Sequence, residues 1–182
     1  MEARLEIQER ESGDSIRIWV LIGVIALAAL LRLVPHPPNF SPITAMALFA
    51  GWSLRRSLPA ILVPLAAMLL SDLALGFHAA MPAVYFAIAM VSVLGLNLKS
   101  RVSFAAMGGA TVLGSVIFFF ITNLAVFLQS DLYPQNVQGL LTCFTAAIPF
   151  FENSILGDLF YSGLLFWGWS YAENRVPRLR AS

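Results

Sequence analysis

Residues 42–56 read PITAMALFAGWSLRR, and whether they count as a crossing of a membrane decides the fold. The apolar part, 42–54, falls well short of the about 20 residues a helix needs to span hydrocarbon. Its small residues Ala45, Ala47, Ala50 and Gly51 suit a short, steep helix packed among neighbours rather than one bathed in lipid. Working outward, the apolar runs 16–34, 57–76, 82–98 and 104–128 read as spans. The first ends at Pro35, Pro37 and Pro38, which lack a backbone donor and force an extended connection. The stretch 139–171 is too long for one crossing of about 30 Å, and Pro149, Glu152 and Asn153 interrupt it. The reading therefore splits it into a short or re-entrant piece over 139–150 and a sixth span over 153–171, closed by interfacial Trp167, Trp169 and Tyr171.

Charge supports counting the short helix. Ten of the eleven Lys and Arg residues fall at alternate ends of the runs: Arg4, Arg10 and Arg17; Arg55 and Arg56; Lys99 and Arg101; Arg175, Arg178 and Arg180. These ends are cytoplasmic by the positive-inside rule, and omitting 42–54 would break the alternation. The remaining one, Arg32, is expected to snorkel to the interface from the end of the first span. Six spans with both termini inside follow, with a cytoplasmic segment over 1–15, a transmembrane domain over 16–172 and a basic tail over 173–182.

Composition excludes several classes. With 59% hydrophobic and 12% charged residues, there is too little polar surface to coat a soluble globule of this length. The small, membrane-flanking basic clusters do not form a patch suited to nucleic acid. Cys143 is a single cysteine, so no intrachain disulfide can form, and it reads as a small buried hydrophobe. The first apolar run has no small-residue cleavage pattern after it and reads as a retained helix.

Polar residues gather in the three connections that carry no basic cluster, VPHPPNFSP (34–42), SDLALGFHAAMP (71–82) and QSDLYPQNVQG (129–139), and in the adjoining helix ends. Polar groups at membrane depth are costly and usually face the bundle interior or a wet cavity. His78 could ligate a metal or accept a ligand proton, or could lie at the water interface and bind nothing. His36, among prolines, is a weaker candidate of the same kind. Two histidines without close ligand spacing do not make a protein-only zinc site, whereas a metal carried by an organic ligand needs one protein donor. Asp72 could pair with His78 or with a backbone amino end across the site, or could cap a helix end at the interface. Asp158 could share an inward polar stripe with Ser154, or serve a structural hydrogen bond. Asn123 is explained equally by an interhelical amide bond. Gly108, Gly109 and Gly114, with Ala105, Ala106 and Ala110, read as a packing face. Phe40, Phe77 and Tyr85 are expected to form apolar walls around orienting contacts from Asn39 and Asn153 as well.

No nucleophile elbow or Walker A sequence is present. The aspartate pair Asp72 and Asp158 lacks the glycine spacing of intramembrane aspartyl hydrolases. An integral membrane enzyme, hydrolytic or lipid-modifying, or a structural subunit of a membrane complex is the rival class.

The segments PHPPNFSPITAMALFAG, SDLALGFH and AIPFFENSILGDLFY, within 17–171, resemble a bacterial family of uncharacterised membrane proteins that is similar to the substrate-binding S components of energy-coupling-factor vitamin transporters. The resemblance implies an all-helical bundle in the inner membrane that binds a vitamin or metal ion in an outward cavity, capped by the loops holding His36 and His78. In the solitary cobalamin-transporting members, a thiolate after the third helix ligates cobalt. His78 stands in the corresponding stretch and would be the axial ligand, making cobalamin the leading expected substrate. The Ala-x-x-x-Ala motif that docks such proteins on a coupling module is missing: Ala26 is followed at that spacing by Leu30 and Ala28 by Arg32. A solitary mode or a different partner is therefore open. The expectation is a solute-capturing transport protein, not an enzyme, with no cofactor of its own.

Overall fold

The computed structural model describes residues 2–35, 37–54, 57–99, 102–176 and 179. His36 and the basic residues Arg55, Arg56, Arg101, Arg178 and Arg180 lie outside the described residues. The described chain is all-helical: α1 (Glu2–Leu30), a 3-10 turn (Leu31–Leu33), α2 (Ile43–Leu54), α3 (Ser57–Leu75), α4 (Met81–Leu96), α5 (Phe104–Gln129) and α6 (Val137–Arg175). Three of these, over Leu58–Leu75, Phe104–Gln129 and Val137–Arg175, are long and apolar enough to cross a membrane. Large apolar side chains such as Trp19, Leu27, Leu70, Phe86, Phe104 and Trp167 stand exposed on the surface. Such a surface is compatible with a membrane location.

The short helix α2 is the axis of the fold. Every residue from Thr44 to Leu54 is buried, and α2 touches each of the other five helices. Around it α1, α3, α4, α5 and α6 follow one another in contact, and the ring stays open between α1 and α6. Sequence explains why α2 can sit there. A Cβ on Gly51 would run into the Ser92 carbonyl oxygen, and one on Gly95 into the Leu48 carbonyl oxygen. Glycine on both helices thus lets the α2 and α4 backbones touch.

The carboxyl half of α2 is sealed by aromatics. Phe49 meets Phe166 edge-on at 5.5 Å and Trp169 at 6.1 Å, while Trp52 packs on Phe166 at 4.8 Å. Pairs of this kind contribute about 0.5–1.5 kcal/mol each beyond their burial. Trp52 also donates its indole N–H to the Lys99 carbonyl at 3.0 Å. Trp169 is therefore a core residue, 4% exposed, rather than an interfacial anchor. Trp167 and Tyr171 do stand exposed, stacked on each other, with Arg175 over the Tyr171 ring.

Two further expectations change. The stretch over 139–171 is not divided: α6 runs unbroken through Pro149 for 39 residues, about 58 Å at 1.5 Å per residue. Pro149 costs the helix one bond, to the Thr145 carbonyl. Both residues lie on the exposed face, where the break disturbs no packed neighbour. α6 starts cleanly because Asn136 caps it, accepting from Gly139 N–H at 2.9 Å. A Cβ on Gly139 would strike the Pro134 carbonyl, so the tight turn needs glycine there. The small-residue face of α5 is also narrower than expected. Ala110 and Gly114 are buried, but Ala105, Ala106 and Gly109 are exposed, and Gly108 has open space beside it.

Candidate functional site

At the amino end of α2 the packing opens into a cavity of about 290 Å³. Helix geometry brings four expected residues to it: Asn39 from the α1–α2 connection, His78 from the α3–α4 connection, Asn123 on α5 and Asp158 on α6. Ser41, Thr44, Ser115, Thr122 and Ser154 add hydroxyls to the lining, and Phe118, Phe119, Phe150 and Phe151 form the apolar wall.

Asp158 forms part of the floor. It is 3% exposed, and its Oδ2 accepts from the Ser115 hydroxyl at 2.6 Å. The Thr44 side chain and the Ala45 backbone N–H, both in the first turn of α2, stand beside its carboxylate. A helix amino terminus leaves backbone donors unsatisfied and carries a partial positive charge, so a carboxylate from another helix is well placed there. Ser154 and Asp158 stand four apart on α6 as the expected stripe, Ser162 extends it by another turn, and Thr111 on α5 donates to Ser162 at 3.0 Å.

Arg32 is the charged lining residue that sequence reading missed, beside the hydroxyls and phenylalanines. Instead of snorkelling outward, its side chain turns in from the 3-10 turn that ends α1 and is 13% exposed. Its Nη1 donates to Asp72 Oδ1 at 2.7 Å, to Ser71 Oγ at 2.6 Å and to the Met68 sulfur at 3.3 Å. Tyr85 donates its hydroxyl to Asp72 Oδ2 at 2.8 Å. Asp72, 1% exposed, therefore pairs with Arg32 rather than His78, and holds the guanidinium against the cavity without lining it. The signal was partial: Arg32 is the one base outside the alternating clusters and too costly to leave unpaired in an apolar fold, but four acids, Asp72, Asp131, Glu152 and Asp158, lie away from those clusters as well.

The other expected residues take different roles. Tyr85 belongs to the Asp72 cluster, and Phe77 is 66% exposed, so neither forms a cavity wall. Phe40 packs instead on Phe160 and Tyr161 and against the Gly157 backbone, pinning the α1–α2 connection to α6. Asn153 donates to the Pro38 carbonyl at 3.2 Å, a second tie of the same kind. The connection is shaped by a turn in which Phe40 N–H bonds the Pro37 carbonyl at 3.0 Å, with Pro38 second and Asn39 third at φ 61°. Proline then a left-handed Asn is the pattern of a type II turn. Asn123 Nδ2 donates within its own helix, to the Phe119 carbonyl at 2.8 Å, so the expected interhelical amide bond is not what holds it. Cys143 is buried as expected, its thiol 3.7 Å from the Asn123 carbonyl. His78 is exposed at the mouth of the cavity. The turn over 130–136 contributes none of the described lining residues.

Chemically the cavity offers a guanidinium, a carboxylate, neutral hydrogen-bonding groups and an aromatic wall. Among the described residues no three His, Cys, Asp or Glu side chains gather as a metal site. Residues 13–179 match the family of unknown function DUF6580, and the chain belongs to that family. No curated protein and no solved structure matches it.

Proposed function

We propose that this protein is a multi-pass inner-membrane protein, with six crossings and both termini inside, that captures a small organic solute from the outer face and mediates its uptake. The proposed architecture is that of the S components of energy-coupling-factor vitamin transporters. The observation that carries the reading is the polar cavity at the amino end of α2, where residues distant in sequence converge at the end of the helix away from Lys99. Intramembrane polar groups of this kind mark solute pathways. Arg32 was the exception to the charge alternation; ion-paired inside the bundle, it ceases to count as a loop charge. Three helices meet the length criterion alone, and the shorter apolar helices over 18–33, 43–54 and 81–96 would cross with their neighbours, α2 shielded from lipid altogether.

The size of the cavity favours a small solute. It lies at the lower edge of the roughly 300–1,000 Å³ of clefts that enclose drug-sized ligands, and a corrinoid ring is far larger. Cobalamin is the finer alternative, with the macrocycle seated over the mouth and His78 as axial ligand to its cobalt. The lipid bilayer is the standing partner, and the missing Ala-x-x-x-Ala motif leaves a solitary mode or a different coupling partner. The rival aspartyl-enzyme reading gains nothing: Asp72 is engaged by Arg32 and Tyr85, Asp158 by Ser115 and the first turn of α2.

A thermal-shift screen of the purified full-length protein against vitamins, cobalamin, cobinamide and small metabolites tests this. A ligand at a hundred times its Kd should stabilise the fold by about 2.7 kcal/mol. His78→Ala, at an exposed position, should weaken capture with little change in the unliganded melting temperature. The reading is lost if no solute shifts the melt and a cysteine placed at position 78 is labelled only from the inner face of sealed cells.

A further inference from the structure

The donors and acceptors left over at the two ends of the cavity specify what a ligand must bring. A guanidinium has five N–H groups. On Arg32, Nη1 alone is engaged, by Asp72, Ser71 and Met68; among the described residues nothing accepts from Nε or Nη2. A carboxylate offers about four acceptor positions. At Asp158 the Ser115 hydroxyl takes one, on Oδ2, with the Thr44 side chain and the Ala45 N–H beside it, which leaves acceptor capacity on a group that is 3% exposed and lines the cavity. One end therefore lacks an acceptor with two oxygens to meet a fork of donors, and the other lacks a donor. Charge points the same way. Arg32 is already balanced by Asp72, whereas Asp158 meets only the partial positive charge of the α2 amino end, so a ligand that brings a negative group to Arg32 must carry a positive one as well.

We infer, building on the solute-capture reading, that the ligand is a small zwitterion of the amino-acid class, its carboxylate on the free edge of Arg32 and its ammonium turned to Asp158. The aromatic wall of Phe118, Phe119 and Phe151 takes its side chain. Such a ligand completes both ends without adding net charge, and it fits inside about 290 Å³.

The test is on the ligand side, so it does not depend on a variant folding. The purified full-length protein is titrated, by thermal shift and calorimetry, with the free α-amino acids and β-alanine, and then with the N-acetyl and methyl-ester forms of the tightest binder. A free amino acid should bind, and each blocked form should bind more weakly by roughly tenfold or more, the loss expected for one charge-assisted hydrogen bond. Asp158→Asn should narrow the gap between the free and N-acetyl forms, and leave the gap to the ester. Equal binding of either blocked form overturns the inference. So does a melt shifted only by a corrinoid, a neutral heterocycle or a simple anion from the same screen, in which case solute capture stands. If no compound of any class shifts the melt, the inference falls, and solute capture falls with it when a cysteine at position 78 is labelled only from the inner face of sealed cells.

Discussion

The two ends of α2 are built from the same short, small-residue sequence and are put to opposite uses. At the carboxyl end, Gly51 and Gly95 bring two backbones into contact and Phe49, Trp52, Phe166 and Trp169 close the space around them. At the amino end, the buried carboxylate of Asp158 and the paired Arg32 face an aromatic wall across a gap, and the space stays open. The difference is one of partners. An apolar surface is satisfied by any close neighbour, whereas a buried charge must have specific ones, and the geometry that supplies them leaves room between the helices.

The sealed end should break most completely. Gly51→Leu places a side chain where the Ser92 carbonyl already lies. Because the obstacle is backbone, the cost exceeds the about 1–3 kcal/mol of ordinary overpacking. The expected result is loss of monodisperse, detergent-extracted protein by size-exclusion chromatography. Recovery of normal yield would show that α2 and α4 can part freely, and the central position of α2 would not be what holds the bundle.

At the open end the largest effect belongs to the ion pair. Asp72→Leu strands Arg32 without its counter-charge, a change worth about 3–5 kcal/mol when one partner of a buried pair is removed. The double variant Arg32→Met with Asp72→Leu should recover most of the lost thermal stability, since replacing both partners by apolar groups is often neutral. Equal destabilisation of the single and double variants would mean that Arg32 does not depend on Asp72, and the inward pairing would be lost.

Sequence disclosed the two ends unequally. The burial of α2 was legible because small residues and a length too short for lipid exposure both point to it. The convergence of Asn39, His78, Asn123 and Asp158 was legible as well, from charge alternation and the placement of polar residues. Side-chain direction was not. Arg32 reads as a snorkelling residue because the stem that reaches water equally reaches Asp72, forty residues on, and no local spacing reveals that distant acid. Phe40, Phe77 and Tyr85 are near the cavity in sequence, yet its wall comes from α5 and α6, whose register against the loops depends on how far α6 continues. That continuation was hidden by Pro149, which marks an end to the helix only when its surroundings cannot tolerate one missing bond.

Asp158 sharpens the contrast, because neutral donors hold it where a charge holds Asp72. Asp158→Ala leaves the Ala45 N–H and the Thr44 hydroxyl without the carboxylate beside them, at about 1–3 kcal/mol, while Ser115 can still donate to the Thr111 carbonyl at 3.0 Å. Asp158→Asn keeps one carbonyl oxygen for them and should cost less. Thermal melts in which the alanine and asparagine variants coincide would remove Asp158 as the cap of α2.

The smallest effect separates support from pairing within the Asp72 cluster. Tyr85→Phe removes one hydroxyl donor, 2.8 Å from Asp72 Oδ2, and leaves the Arg32 bond at Oδ1 untouched. The ring, half-buried, still fills its place, so the expected loss is about 1 kcal/mol, the net worth of a single hydrogen bond. A carboxylate held from one side by Arg32 and from the other by Tyr85 has little freedom to rotate, and Arg32 is steered by it. Tyr85→Phe should therefore weaken solute binding more than its small effect on the melt suggests, read as a titration midpoint shifted several-fold at nearly unchanged melting temperature. If the midpoint stays put while the melt falls, Tyr85 supports the fold alone, and the position of Arg32 is set by Asp72 and Ser71 without it.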